Sequence, residues 1–226
     1  MEKVLFWDFD GTLSYPNKSF ETALSFAVAK AGYQIDPQSS SDFFKNTYTW
    51  KSPMDDHTQE TGDTWWTVLF AKTDTFCLGA GIPETALSQI HAALKAKLIH
   101  IDNYGLYEDT LSTLATCKAM GYRNFLLTNN YPEILENVKK LGIYDYFTDF
   151  VVSSHVGYDK PRQELYDYAK KLAVNPEICY MIGDNPQADI AGGKQAGMTA
   201  IYVHNGKLDI ADHSLDRLSE IPAILR

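Results

Sequence analysis

Five short runs rich in Val, Ile, Leu and aromatic residues punctuate this chain: Val4 to Phe9, Asn124 to Thr128, Phe150 to Ser153, Cys179 to Ile182 and Thr199 to Val203. They are apolar at nearly every position rather than at every second one, so each needs cover on both faces. Parallel sheets flanked by helices provide that cover. Amphipathic stretches stand where the crossover helices belong, at Leu111 to Met120, Ile134 to Leu141, Glu164 to Leu172 and Ala188 to Ala196. Gly121, Gly142 and Gly197 follow three of them, as helix-terminating glycines commonly do. The alternation predicts an α/β fold, a Rossmann-like parallel sheet flanked by helices.

The stretch 15–105 breaks that rhythm. It offers no comparable apolar run, and helical candidates fill it at Phe20 to Ala31, Trp65 to Leu78 and Pro83 to Leu98, with Asp36 to Ser41 read as a polar loop. Residues 1–14 and 106–226 are therefore expected to form the Rossmann-like core, and 15–105 an inserted all-helical cap domain. The insertion follows the run that ends at Asp8, so it should emerge from the C-terminal edge of the sheet, where ligands bind in such folds.

Composition narrows the function. At 226 residues the chain fits one large domain or a core with a smaller insertion, and 45% hydrophobic with 22% charged residues is ordinary for a globular protein. A net charge of -9 disfavours a broad nucleic-acid footprint, which requires clustered Lys and Arg. The opening run ends too soon, at Asp8, for a signal peptide, and no apolar stretch reaches the length of a membrane span. Cys77, Cys117 and Cys179 are odd in number and match no metal-ligand spacing, which is expected of a reducing compartment, the cytoplasm. Nothing in the sequence chooses between monomer and homodimer.

Chemistry concentrates at the ends of the apolar runs. Asp8-Phe9-Asp10-Gly11-Thr12 closes the first, and strand alternation points Asp8 and Asp10 the same way. Two carboxylates so placed can divide labour between nucleophile and proton carrier, or share a divalent metal; a solvated turn is the plain alternative. The second run ends in Thr128-Asn129-Asn130, whose hydroxyl and neighbouring backbone N–H groups can cradle a phosphoryl oxygen or simply cap a turn. Lys160 precedes a helical run in a loop on the same sheet edge, where an ammonium can offset phosphoryl charge or be plain surface charge. Gly183-Asp184 follows the fourth run. Asp184 stands well as a metal ligand, while Asp189, five residues on, is a metal-site acid or a helix-start acid.

These residues, in this order, resemble the four motifs of the haloacid dehalogenase-like hydrolases: Asp8-Phe9-Asp10-Gly11-Thr12, Thr128, Lys160, and Gly183-Asp184 with Asp189. The likeness covers essentially the whole core, and the insertion resembles that superfamily's first class of helical cap. It implies an Mg²⁺-dependent phosphatase in which Asp8 forms an aspartyl-phosphate and Asp10 serves as acid and then base. Thr128, with Asn129, and Lys160 would hold the phosphoryl group. Mg²⁺ would be bound by Asp8, the main-chain carbonyl of Asp10, and Asp184, with Asp189 in the outer shell. Members that cleave carbon–halogen bonds lack an acid two positions after the nucleophile, so Asp10 favours phosphate monoesters. A dehalogenase, a phosphomutase and a catalytically idle phosphate-binding module are the rivals. Two positions depart from the family pattern: Arg162-Gln163-Glu164 stands where many relatives have an Asp-Pro, and Tyr107-Glu108-Asp109 lacks a common Pro-Gly.

The implied substrate is a small phosphorylated metabolite such as a sugar phosphate, phosphoglycolate or a nucleotide, and its identity should be read by the cap. That region is rich in rings, with Phe43, Phe44, Tyr48, Trp50, Trp65 and Trp66. Core packing is the plain reading of them. Trp65 and Trp66 cannot both face inward on one helix, so one of them should meet the core or a ligand. Asp55, Asp56 and His57 are expected in a polar loop, and the histidines, His100 included, at the surface.

Overall fold

The computed structural model describes residues 2–17, 19–47 and 56–225, so Tyr48, Trp50 and Asp55 lie outside the described residues. Among these residues six strands form one parallel sheet: β1 (Lys3–Trp7), β2 (Arg123–Thr128), β3 (Phe147–Val152), β4 (Ile178–Gly183), β5 (Thr199–Val203) and β6 (His213–Leu215), in the order β3-β2-β1-β4-β5-β6. The order reverses at β1, which lies between β2 and β4. That is the switch point at which open α/β sheets place ligands.

Alternate residues of each central strand enter different cores. Leu5, Trp7, Leu126 and Ile182 join one buried cluster, whereas Val4, Phe6, Phe125, Leu127 and Met181 join another. This two-sided burial is why the strands are apolar at successive positions. Asn124, a polar side chain buried within β2, is fully engaged: it accepts from Trp7 Nε1 at 3.0 Å and donates to the carbonyls of Leu114 and Tyr146.

Among the described residues ten α-helices complete the fold: α1 (Ser19–Lys30), α2 (Pro37–Thr47), α3 (Trp65–Gly79), α4 (Leu87–Leu98), α5 (Thr110–Ala119), α6 (Ile134–Lys140), α7 (Ser153–Val156), α8 (Gln163–Leu172), α9 (Gly192–Gln195) and α10 (Ile221–Ile224). Among the described residues none is long and apolar enough to cross a membrane. The first four fall between β1 and β2, where α1 packs on both α4 and α2. The two chain passages joining this helical region to the sheet run side by side, since Tyr15 N donates to Gly105 O at 2.8 Å and Tyr107 N to Leu13 O at 3.2 Å.

Three expectations are corrected. Asp36 to Ser41 is not a loop: α2 begins at Pro37 because Asp36 Oδ2 accepts from Ser39 N at 2.9 Å as a cap and Phe44 is buried two turns later. Ala188 to Ala196 is not one α-helix either. Asn185 caps a wide π-helical turn, Pro186–Ala191, before α9 starts. At its far end Gly192 and Gly193 press so closely on Tyr166 and Met181 that an added Cβ would lie 2.6 Å and 2.7 Å from them. Finally, β6 was not foreseen; its three residues His213, Ser214 and Leu215 are half-buried and carry no apolar run.

Candidate active site

The loop after β1 is shaped by Phe9, whose carbonyl accepts from Leu13 N and Ser14 N, both at 3.0 Å. This tight return turns Asp10 and Gly11 back over the strand end. Gly11 has φ +85°, and a Cβ there would lie 2.3 Å from Asp184 Oδ2. Only glycine allows this turn and the close approach of the Asp184 carboxylate. Thr12 Oγ1 then donates to Asp184 Oδ1 at 3.3 Å.

Lys160 lies at the centre. Its side chain is buried, and Nζ donates to Asp8 Oδ1 at 2.7 Å and to Asp189 Oδ1 at 2.6 Å. Burial by itself would lower its pKa, but the charges of Asp189 and then Asp8 outweigh burial and hold the ammonium above its ordinary range. Asn129 positions it from β2: its side chain accepts from Lys160 N at 2.7 Å and donates to Lys160 O at 2.9 Å. That amide, expected near the phosphoryl group, is wholly engaged in holding the lysine backbone. Thr128 is buried at the same strand end.

The carboxylates crowd one another. Oxygens of Asp8, Asp184 and Asp189 lie within 4.8 Å of one another. Burial, then the charge of Asp8, pushes Asp184 up to about 8; burial also raises Asp189 to about 6 against the pull of Lys160. A group of buried hard-oxygen donors with a single ammonium among them fits a hard divalent cation. Asp189 differs from the other two in having both oxygens occupied, one by Lys160 and the other by Asn185 N at 3.0 Å.

Asp10 stands apart from that cluster. Burial, followed by the charge of Asp8, pushes its carboxyl up to about 7. Oδ2 accepts from Asn130 Nδ2 at 2.7 Å, while Oδ1 is buried with no partner among the described residues. A half-protonated carboxyl with one unengaged oxygen is equipped to give and take a proton near neutral pH.

Asp8, Asp10, Thr128, Asn129, Lys160, Asp184 and Asp189 are thus gathered at the carboxyl ends of β1, β2 and β4 and the loop after α7. Sequence reasoning missed Asn130, although it stood in a strand-end string already singled out. It also missed the buried pair Tyr104 and Tyr131, whose hydroxyls lie 2.8 Å apart beneath Asp10, with Asn17 and Asn137 bonded to them. No spacing joins Tyr104 to Tyr131. Trp66 is buried and reaches the core, donating to the Glu133 carboxylate at 3.0 Å, as expected of one of the tryptophan pair. His57 is half-buried rather than at the surface.

A family model described as haloacid dehalogenase-like hydrolase matches residues 2–197. The glyceraldehyde 3-phosphate phosphatase of Methanopyrus kandleri is 29% identical over 131 residues, 53% of this chain and 56% of the relative. A phosphoserine phosphatase from Thermus thermophilus is 33% identical over 128 residues, 56% of this chain and 50% of the relative. The chain thus spans about half the length of these curated relatives. The solved structure of the HAD-hydrolase YfnB from Bacillus subtilis, bound to magnesium, shares the fold with a TM-score of 0.75 at 17% identity, covering 99% of this chain and 98% of that one.

Proposed function

The chain belongs to the haloacid dehalogenase-like hydrolases, and from that premise we propose that it is an Mg²⁺-dependent phosphatase acting on small phosphorylated metabolites through an aspartyl-phosphate. Asp10 carries the reading. Its carboxyl, raised to about 7 and unpartnered at Oδ1, is needed to protonate an alkoxide leaving group and would be superfluous for releasing a halide. The phosphatase names of two relatives support the same reaction class.

In this scheme an Asp8 oxygen attacks phosphorus, the bond from phosphorus to the ester oxygen breaks, and the Asp10 proton passes to the departing alcohol. Asp10, now a base, takes a proton from the water that attacks the acyl phosphate and returns Asp8 as a carboxylate. Lys160 and the Thr128 hydroxyl hold phosphoryl oxygens, Asn129 fixes Lys160, and Asp189 serves as its counter-ion. Asp8, Asp184 and the main-chain carbonyl of Asp10 would hold Mg²⁺, with Asp189 in the outer shell because its oxygens are engaged. The ion, when bound, supplies charge compensation for the phosphoryl group and the clustered carboxylates.

Residues 15–105 act as a cap over this edge of a core made by 1–14 and 106–226. The three cysteines, free and at least half-buried, suit the cytoplasm.

Phosphate release from a panel of monoesters, with Mg²⁺ and with chelator, tests the proposal on wild type and Asp8→Asn. Release that needs Mg²⁺ and Asp8 is expected. Undiminished release by Asp8→Asn would overturn the covalent route.

A further inference from the structure

Two buried tyrosines to which the proposed reaction gives no task sit beside the second carboxyl of the site. Tyr131 follows Asn130 after β2, and Tyr104 lies in the passage by which the chain returns from the helical region. Their hydroxyls are 2.8 Å apart, and each also accepts an amide hydrogen, Tyr104 Oη from Asn17 Nδ2 at 3.1 Å and Tyr131 Oη from Asn137 Nδ2 at 2.9 Å. Burial, ahead of every other influence, pushes both phenols far above their ordinary range. Groups so weakly acidic keep their hydrogens through turnover and serve to hold what they touch.

The contacts close into a ring on Asp10. The peptide N–H of Tyr131 donates to Asn130 Oδ1 at 3.1 Å, which fixes the amide so that its donating Nδ2 is turned to Asp10 Oδ2, 2.7 Å away. From the other side the main-chain N–H of Asn17 faces the Asp10 carboxyl and favours its charged form. The Tyr104 ring packs on Phe9, the residue before Asp10, with centroids 5.5 Å apart.

Both ends of the helical region enter this ring. Asn17 Oδ1 accepts from Ser19 N at 2.9 Å at the start of α1, and Asn137 Nδ2 also reaches Ile99 O at 2.9 Å, just after α4. The bond between the two hydroxyls is the link that joins Asn17 and Tyr104 to the end of β2. Side chains bonded at several points in a buried network have little freedom, and a proton donor displaced by a fraction of an ångström loses much of its effect.

We propose that Tyr104 and Tyr131 are positioning residues for the second carboxyl: their shared hydroxyl bond seats Tyr131, Tyr131 orients the Asn130 amide, and that amide aims Asp10 at the leaving-group oxygen. This rests on the phosphatase reading and adds to it two residues that act only through others.

Tyr104→Phe and Tyr131→Phe each remove one oxygen and keep the ring, so either variant tests the link if the other fails to fold. The first readout needs no turnover. The side-chain amide signals of Asn130 in a ¹⁵N spectrum, identified by their loss in Asn130→Ala, should move toward free-amide positions in both variants, with exchange roughly ten-fold faster, about the worth of one hydrogen bond. The second is single-turnover release of alcohol from glycerol 3-phosphate and from nitrophenyl phosphate. Each variant should lose roughly ten-fold in rate on the alkyl ester and less on the nitrophenyl ester, with KM little changed. Because both substitutions delete the same bond, the double variant should lose hardly more rate than the slower single one. Amide signals that move in the variants of a protein releasing phosphate from no ester would keep the link from the tyrosines to Asn130 and Asp10 and remove the phosphatase reading. Unmoved amide signals in both variants, or equal losses on the two esters, as a merely structural role would give, would overturn the assignment.

Discussion

Asn130 Nδ2 donates to Asp10 Oδ2 across 2.7 Å, so an amide at the end of β2 holds the second carboxyl of the β1 loop. The bond favours the charged form of Asp10 against burial and the nearby charge of Asp8, both of which favour the protonated form. Removing it in Asn130→Ala should move the Asp10 pKa further up and leave the carboxyl less well aimed. Turnover is expected to fall roughly ten- to hundred-fold, the worth of a hydrogen bond to a charged group. The pH at which kcat/KM declines on the alkaline side should rise in the same variant. A profile that keeps its wild-type midpoint would separate Asn130 from proton transfer.

General acid catalysis by Asp10 makes a second, sharper prediction. The acid is protonated below about 7 and is lost as pH rises through that value. Alkyl phosphates, whose alkoxides need a proton to leave, should slow above neutrality, while a nitrophenyl ester, whose leaving group needs little help, should slow less. Asp10→Asn should follow the same pattern, costing alkyl esters on the order of a hundred-fold or more and the activated ester less in the first half-reaction. Burst and steady-state rates on both esters would separate that half-reaction from hydrolysis of the intermediate.

Metal and pH are linked through Asp184 and Asp189. Their folded-state values, about 8 and about 6, are above the ordinary 3.8 of an aspartate. Across that window the folded, metal-free protein keeps protons that the unfolded chain has released, so its stability falls as pH rises from about 4 toward 8. A divalent ion reverses the balance by favouring the charged carboxylates. The thermal midpoint gained on adding Mg²⁺ should be larger at pH 8 than at pH 5.5, with each kcal/mol seen as about 2–4 °C at this chain length. Asp184→Asn should flatten the metal-free pH dependence and abolish most of the Mg²⁺ gain. An equal gain at both pH values would argue against these carboxylates as the linked groups.

What the sequence disclosed and what it concealed follow from how each interaction is encoded. The central strands were readable because burial on two faces leaves an apolar residue at successive positions, as at Val4 through Trp7, whereas half-buried β6 leaves no such run. Asp8, Asp10, Thr128, Lys160 and Asp184 were readable because each stands at a strand end or beside a helix start, where a polar residue interrupts apolar chain. Helix α2 was misread because its first turn is Pro, Gln and three serines, and only the Asp36 cap and buried Phe44 reveal it. The roles of Asn130, Tyr104 and Tyr131 rest on contacts between distant segments, which no local periodicity records. Asn129 shows the same limit: its position was visible, but its engagement with the Lys160 backbone depends on how two loops meet.

The contact between α3 and the core gives the last prediction. Glu133, just before α6, accepts from Trp66 Nε1 at 3.0 Å and pairs with Lys95 Nζ at 2.6 Å, while Lys95 lies 4.9 Å from the centre of the Trp66 ring. The ion pair is about one-third exposed on each side, so it should contribute no more than about 1 kcal/mol to global stability. Its leverage is on position, because it ties α3 and α4 of the proposed cap to one residue of the core. Glu133→Gln keeps an acceptor for Trp66 and loses the charge partner of Lys95; Glu133→Leu loses both. Both variants should unfold within about 1 kcal/mol of wild type. Hydrogen exchange should nevertheless quicken in residues 65–79 in the order wild type, Gln, Leu, because local opening is governed by the bonds that hold a segment rather than by the whole fold. If Glu133→Leu exchanges there at the wild-type rate, Glu133 does not hold the cap, and the buried face of Trp66 alone keeps α3 against the core.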